Sequence, residues 1–490
     1  MSRRSDGEPG SLTGLRGRPV LVAGAATSGL AAARALVELG ARVLVADSSA
    51  ERLADLPDGC AGAHELTAPP PGTALVVTSP GWRPDSPLLL AAAAARIEVI
   101  GEPELAWRWT RPGGPADPIA PDGRTPPDGG RTPGRPRWWA VTGTNGKTTT
   151  VGMLAAILAA AGRDAAACGN IGTPVIDAVR AGHTDLAVEL SSFQLHWSPS
   201  IRPDAGALLN VAEDHLDWHG GMSGYLAAKE RVLTGPVAVA GVDDPIAAGA
   251  LARCPAGTRV GVTLGEPAAS QFGVLDGMLT DRAFGPGPVP LLDAAEVRPV
   301  GWPGRLDALA AAALARAAGC TPDEVAAGLR GYAPGPHRGG VVAERGGVRY
   351  IDDSKATNPH AADAALAGHA RVVWIAGGVL KGASVTELIQ RHAHRLGGVV
   401  LVGIERAEFR DALLRHAPQV RVAEAAAGEH GPMTDAVRLA AGMALPGDVV
   451  LLAPAAASLD QFRDYAARGR AFADAVADLP AGSPGPMEAR

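Results

Sequence analysis

The 490-residue chain is poor in lysine, asparagine, cysteine and aromatic residues. Lysine occurs four times, at Lys147, Lys229, Lys355 and Lys381, against 41 arginines. Asparagine also occurs four times, at Asn145, Asn170, Asn210 and Asn358. Arginine and lysine differ in shape, hydration and reactivity, so a chain that uses arginine for generic positive charge draws attention to the lysines it keeps. The four cysteines (Cys60, Cys168, Cys254, Cys320) form no CxxC pair. A disulfide framework or a zinc site is therefore not expected, and a reducing cytoplasm fits. No strongly apolar run reaches about 18 residues, which excludes a membrane-spanning helix. Net charge is −6 with no long basic stripe, which argues against nucleic acid as a partner. Arg3-Arg4 is followed by polar residues Ser5 to Gly10, so a secretory signal is not expected either.

What is present is a globular chain: 47% hydrophobic and 20% charged, long enough for about three domains. Residues 1–17 are polar and expected to lack order. From Val20 an apolar strand leads into a glycine turn (Gly24 to Gly29), an Ala/Leu-rich helix and a second strand, Val43 to Ala46, ending at Asp47. A further strand, Leu75 to Val77, ends at Thr78-Ser79-Pro80-Gly81. This alternation predicts a parallel sheet covered by helices. Residues 110–137 are dominated by Pro, Gly and Arg without a period, as in a linker or insertion. Strand and helix alternate again after Trp138 and after about His337. The expected organisation is three α/β domains: 18–109, Rossmann-like; 138–335, a central ATPase domain of phosphate-loop type; and 336–490, Rossmann-like again.

The strongest local signal is Gly143-Thr144-Asn145-Gly146-Lys147-Thr148-Thr149, between an apolar strand and a helix. Backbone N–H groups at such a helix start cradle phosphate oxygens, and the helix dipole adds to the attraction. Lys147 is placed to reach the β/γ-phosphates and the Thr148 hydroxyl to face Mg²⁺. Val141 stands where the standard pattern has glycine, so the loop is a variant. Glu189 ends a later apolar strand, where ligands of α/β sheets bind and where a carboxylate can hold Mg²⁺. His215, just past the strand end at Leu209, is a second metal-facing candidate, although Asp214 beside it has helix capping as its commonest use. Gly24 to Gly29 with Asp47 about twenty residues on is like a dinucleotide fingerprint, with Ala26 in place of the second glycine.

Taken together these segments resemble the Mur ligase superfamily, ATP-dependent amide ligases of peptidoglycan synthesis. The matching elements are GTNGKT at 143–148, GNIG at 169–172, ELSSFQL at 189–195 and LN…DHLD at 209–217, with Tyr225 and Lys229. Further along are His337-Arg338, DDSKATNP at 352–359, ASLDQF at 457–462, Arg468-Gly469 and Phe472. The resemblance is greatest to the branch that adds D-glutamate to UDP-N-acetylmuramoyl-L-alanine. It implies a cytoplasmic, monomeric enzyme using ATP and Mg²⁺, and a catalytic set of Lys147, Glu189, His215, Lys229 and Lys355. By the same resemblance, Gly143 to Thr149, Arg338 and Asp353 contact ATP. Thr148, Glu189, His215 and Lys229, the last as a carbamate, face the metal. Ser28, Asp47, Ser79, Gly81 and Asn170 lie near the UDP substrate. Lys381, Thr357, Ser458 and Tyr465 hold D-glutamate.

The chain departs from the family pattern around the nucleotide base. Gly304-Arg305-Leu306-Asp307 replaces a longer element, with Asp307 at the position of its last Asn. Gly241-Val242 stands for Asn-Ala before Asp243-Asp244, Gly340 for a glutamate, and Leu380 for the acidic residue before Lys381. Two alternatives follow from the residues. One is a relative that binds the nucleotide sugar with degraded catalysis. The other is an NAD-linked oxidoreductase built on residues 20–47, which leaves 143–149 and 352–359 unexplained.

Overall fold

The computed structural model describes residues 12–111, 135–426 and 431–480. Arg3-Arg4 and most of the 110–137 segment lie outside the described residues. Among the described residues twenty strands form three sheets. The first contains β1 (Pro19–Ala23), β2 (Arg42–Asp47), β3 (Cys60–His64), β4 (Leu75–Thr78) and β5 (Val99–Gly101). All are parallel, in the order β3-β2-β1-β4-β5. The expectation that residues up to 17 lack order fails for its last part. Leu12 and Leu15 are buried, around a short 3₁₀ turn at Thr13–Leu15. Two leucines in an otherwise polar stretch are enough to dock it on the apolar face of the first sheet.

The second sheet contains β6 (Arg137–Thr142), β7 (Ala165–Gly169), β8 (Asp185–Glu189), β9 (Ala205–Leu208), β10 (Val237–Gly241), β11 (Thr258–Val262), β12 (Gln271–Leu275), β13 (Met278–Asp281) and β14 (Val289–Asp293). Their order is β14-β13-β12-β11-β10-β9-β6-β8-β7. It is parallel from β7 to β12 and ends in an antiparallel meander over β12–β14. The chain leaves β6 first toward one edge, through β7 and β8, and then toward the other, through β9 and β10. The carboxyl end of β6 is thus a switch point, where a crevice opens between diverging connections.

The third sheet contains β15 (Gly340–Arg345), β16 (Val348–Asp352), β17 (Val372–Gly377), β18 (Leu396–Val402), β19 (Val422–Glu424) and β20 (Val449–Leu452), ordered β15-β16-β20-β17-β18-β19. Of its described strand pairs, only β15–β16 is antiparallel. Strands β1, β8, β17 and β20 in the interior of the three sheets are buried along almost their whole length, as strands covered by helices on both faces are.

The described residues divide into two compact units. The first holds the first and second sheets, and the second holds the third sheet with Ala212–His215 and Val297–Arg305. Within the first unit the two sheets are joined by buried contacts. Trp107 meets Trp138 edge-to-face at 5.3 Å, and Gly101 N–H donates to Trp197 O at 2.7 Å. Glu104 accepts from Ser200 N at 3.0 Å and is paired with Arg108. Glu102 accepts from Ile176 N at 2.6 Å.

Candidate active site

The phosphate loop follows β6, and the helix Lys147–Ala160 begins at its end. Gly146 caps that helix in the left-handed region at φ +86. A Cβ there would also meet Asp307 Oδ1 at 2.2 Å, so both conformation and space require glycine. The loop is held open from the next strand. Asn210, just past β9, accepts from Asn145 N at 2.9 Å and donates back to Asn145 O at 3.2 Å. Its carbonyl takes Thr144 N at 3.0 Å. Asp307 reaches the same helix, accepting from Thr150 Oγ1 at 3.3 Å. Residues 207–210, 239–241, Val262, Leu306, Asp307 and Ala310 line a small pocket beside the loop.

Two lysines converge on this turn. Lys147 Nζ donates to Gly143 O and to Thr144 O, both at 2.8 Å. Lys229 Nζ donates to Gly143 O at 2.7 Å and lies 4.5 Å from the Tyr225 ring centroid. Lys229 is only 1% exposed. An amine this deep is costly unless something employs it. Tyr225 is bonded to Thr144 Oγ1 at 3.0 Å, so Lys229 and its stacking partner both touch the loop. Thr148 is the second residue of the helix and half-buried, and Thr149 is buried.

Glu189 stands beside the loop because strand register puts it there. It pairs with Val141 across β6–β8. One carboxylate oxygen accepts from Asn170 Nδ2 at 2.8 Å. The other, Oε2, is buried with no hydrogen-bond partner among the described residues. A buried, orphaned carboxylate oxygen at the mouth of a phosphate loop is what a divalent cation would complete, so these residues fit Mg²⁺. Among the described residues no three His, Cys, Asp or Glu side chains gather into a metal group. Glu189, Thr148 and Lys229 belong to the first compact unit, and His215 to the second. His215 has positive φ (+53), and its Nε2 lies 3.4 Å from Asp214 Oδ2.

At the carboxyl ends of β1 and β4 the N-terminal candidates come together. Asp47 spends both oxygens on backbone, accepting from Ala25 N at 2.7 Å and Ser49 N at 2.8 Å. It therefore fixes the Gly24–Gly29 turn. A Cβ on Gly29 would lie 1.8 Å from Gly24 O, so this glycine serves the close packing of turn on helix. Ser79 is buried, with its hydroxyl 3.5 Å from Gly24 O. Ser28 is half-buried in the first turn of the helix Thr27–Glu38, and Gly81 faces open space.

In the second unit three segments meet at the adjacent carboxyl ends of β16, β20 and β17. Ala455 N donates to Ala356 O at 2.9 Å, and Gly377 N to Pro454 O at 2.8 Å. Val379 and Ala457 exchange both backbone bonds at 2.9 Å. These links gather the segments carrying Lys355 and Thr357, Lys381, and Ser458. Lys381 is exposed with φ +55, and Ser458 is buried. Tyr465 holds its ring 4.0 Å from Lys355 Nζ. Burial pushes the Asp353 carboxyl up to about 7, with Arg338 pulling it down and Asp352 adding to the rise. Asp352 itself bonds His337 Nδ1 at 2.6 Å.

Four groups gain a role only through the folded contacts: Asn210, Asp307, Glu102 and Arg468. The scarcity of asparagine points at Asn210 in the sequence. Asp307 stands out there only as a departure from the family pattern, while Asp243-Asp244 are the part of their element that keeps the pattern beside the altered Gly241-Val242. Asp244 proves to cap the helix Pro245–Arg253 and to bind Val211 N, and Asp243 to bind Thr263 Oγ1 and Leu264 N. Arg468 is marked in the sequence by the matching Arg468-Gly469 element, which gives it no role, and Glu102 carries no signal short of the packing.

The Mur ligase middle domain matches residues 141–270, and the Mur ligase glutamate ligase domain matches residues 337–456. The UDP-N-acetylmuramoylalanine–D-glutamate ligase of Rhodococcus jostii is 49% identical, over 97% of this chain and 98% of its own. The chain belongs to the Mur ligase family. Another member, the ligase of the same name from Thermobifida fusca, is 50% identical over 95% of this chain and 99% of its own. Among solved structures, the UDP-N-acetylmuramate–alanine ligase of Thermotoga maritima shares the fold. Its TM-score is 0.55 at 16% identity, covering 94% of this chain and 99% of that one. Family membership leaves the NAD-linked oxidoreductase without support, since that reading rested on the turn that Asp47 and Gly29 shape for packing.

Proposed function

We propose that this Mur ligase joins D-glutamate to UDP-N-acetylmuramoyl-L-alanine at the expense of ATP, as a cytoplasmic step of peptidoglycan precursor synthesis. The near full-length likeness to ligases of that name supports the activity. The observation that carries the chemistry is the oxygen of Glu189 at the edge of the phosphate loop, which has no partner among the described residues.

An amide forms from a carboxylate only after activation. The alanyl carboxylate oxygen attacks the γ-phosphorus of ATP, the bond to the β-phosphate oxygen breaks, and an acyl phosphate and ADP result. The D-glutamate amine then attacks the acyl carbon. The tetrahedral adduct collapses with loss of inorganic phosphate and of the amine proton. Positioning and charge neutralisation dominate such transfers. The loop N–H groups of 143–149 receive phosphate oxygens, and Lys147 turns from the loop carbonyls to the transferred phosphoryl. Glu189 and Thr148 would hold Mg²⁺, with His215 and Lys229 as further ligands. Lys229 would do so as a carbamate, formed when its neutral amine adds to CO₂ and loses a proton, which a guanidinium does not do. Mg²⁺ supplies neutralisation of the developing phosphate charge. Ser28, Asp47, Ser79, Gly81 and Asn170 orient the nucleotide sugar. Arg338 and Asp353 face ATP. Lys355, Thr357, Lys381, Ser458 and Tyr465 receive the amino acid, two lysines suiting its two carboxylates.

The test is phosphate release with ATP, Mg²⁺, UDP-N-acetylmuramoyl-L-alanine and D-glutamate. Release requiring all four, and falling sharply with L-glutamate or D-alanine, supports the proposal. Folded protein that binds the nucleotide sugar without turnover supports the degraded relative instead.

A further inference from the structure

Arg468 is the most deeply buried guanidinium of the second unit, 1% exposed in the first turn of the helix Tyr465–Ala477. Among the described residues it has no ion-pair partner; its hydrogen bonds go to two carbonyls and a hydroxyl. Nε donates to Ser354 Oγ at 3.0 Å, Nη2 to Ser354 O at 2.9 Å and Nη1 to Ala456 O at 3.1 Å. Burial pushes its pKa down to about 10, with Asp460 and Asp352 opposing the shift from a distance. A cation held this way is expensive, and an apolar side chain of similar volume would fill the space at lower cost. What the cation does that an apolar group cannot is bind two strand-end segments at once. Ser354 precedes Lys355, and Ala456 lies two residues before Ser458. The same helix turn reaches Lys355 a second way. Ser354 Oγ donates to Tyr465 O at 2.8 Å, and the Tyr465 ring lies under the Lys355 ammonium. Gly469, the next residue, brings the helix so near that a Cβ would sit 2.1 Å from His337 Nδ1.

We infer that Arg468 is a positioning residue for the amino-acid substrate: it sets the separation of Lys355 and Ser458 and keeps both aimed at the carboxylates of the incoming amino acid. The inference rests on the proposed D-glutamate reading. It requires an effect confined to that substrate, because the links of Arg468 run to these two segments.

The experiment compares wild type, Arg468→Met, Arg468→Lys and the milder Ser354→Ala. It measures KM for each of the three substrates, kcat, and hydroxamate formed with hydroxylamine in the absence of amino acid, which reports acyl phosphate alone. Thermal midpoints are read beside them. Arg468→Met should raise KM for D-glutamate tenfold or more, leave KM for ATP and the nucleotide sugar within twofold, and keep hydroxamate formation. Arg468→Lys, which can still bond one carbonyl, should recover part of the loss. Ser354→Ala should raise the D-glutamate KM severalfold, and it carries the test if Arg468→Met does not fold. Unchanged D-glutamate KM, or a loss spread over all three substrates and the hydroxamate, overturns the inference alone. A wild-type protein that ignores D-glutamate overturns the functional proposal and this inference with it.

Discussion

At the scale of single residues, scarcity and placement agree. Three of the four asparagines perform a bond that the side-chain amide makes well, and the fourth, Asn145, supplies the backbone that one of them holds. Asn210 brackets the backbone of Asn145, Asn170 holds Glu189, and Asn358 caps the helix Pro359–Ala367 through Ala361 N. The lysines separate in the same way: two meet at Gly143 O, one lies on a tyrosine ring, and one sits exposed on a left-handed turn. Lys147→Ala should lower kcat/KM by about 10²–10³, since it removes the positive charge proposed to meet the transferred phosphoryl. Phosphate release measured across a range of ATP concentrations checks this. Lys229→Ala should be inactive, and formate or acetate added at high concentration should restore part of the rate by standing in for the carbamate proposed on Lys229. An alanine variant at full rate would make Lys229 a structural residue. The candidate site was legible in the sequence at this scale wherever a short motif carried it. The contacts of Asn210 and Arg468 were not, because their partners lie 65 and 114 positions away and only folding brings them together.

At the scale of elements, close approach decides what substitutions cost. The helix Pro322–Gly331 packs on the helix Lys147–Ala160 through Gly328, where a Cβ would sit 2.3 Å from Ile157 Cα. Backbone cannot give way as a flexible side chain can. Gly328→Ala should therefore destabilise by about 1–3 kcal/mol despite the better helix propensity of alanine, as read from urea unfolding. Because the helix it displaces carries the phosphate loop at its other end, KM for ATP should rise as well. Asp244→Ala removes a helix cap and the acceptor of Val211 N together, and should cost about 1–2 kcal/mol by the same measurement. Strand alternation made the parallel strands around β1, β6 and β17 readable. The short parallel strands β3, β5, β7, β10, β11 and β19 escaped, as did the antiparallel β15 and the meander β12–β14, where Gly- and Pro-rich sequence hides the two-residue period.

For the molecule as a whole, the junction of the first two sheets holds a titratable device. Glu102 is buried at that junction, with one oxygen on Ile176 N and the other unpartnered among the described residues. Burial lifts its carboxyl from the ordinary 4.5 to about 8, the bond from Ile176 N working against the rise. The folded chain thus keeps a proton that the unfolded chain releases. Stability from this group is full below about pH 4.5 and is lost as pH rises through 8. At about 1.4 kcal/mol per unit, the loss amounts to a few kcal/mol. Glu102→Gln keeps the neutral form and the acceptor. Its stability should fall less steeply than that of wild type between pH 5 and 8, and it should exceed wild type above pH 8. Parallel urea titrations at pH 5 and pH 8.5 measure the difference, and equal slopes would refute the assignment.

By itself the sequence determined the local chemistry of this Mur ligase: a glycine-capped loop before a helix, an acid at a strand end, and lysines kept where arginine would serve elsewhere. Those are properties of residue type and spacing, which survive without coordinates. Only the tertiary structure decided which of them share a site. Register across β6 and β8 put at the loop an oxygen of Glu189 that has no partner among the described residues, and the neighbouring ends of β16, β20 and β17 gathered the segments of Lys355, Lys381 and Ser458, the first and last of them tied by Arg468. Long-range hydrogen bonds and close backbone approach made those choices, and neither leaves a mark on the chain short of the folded packing itself.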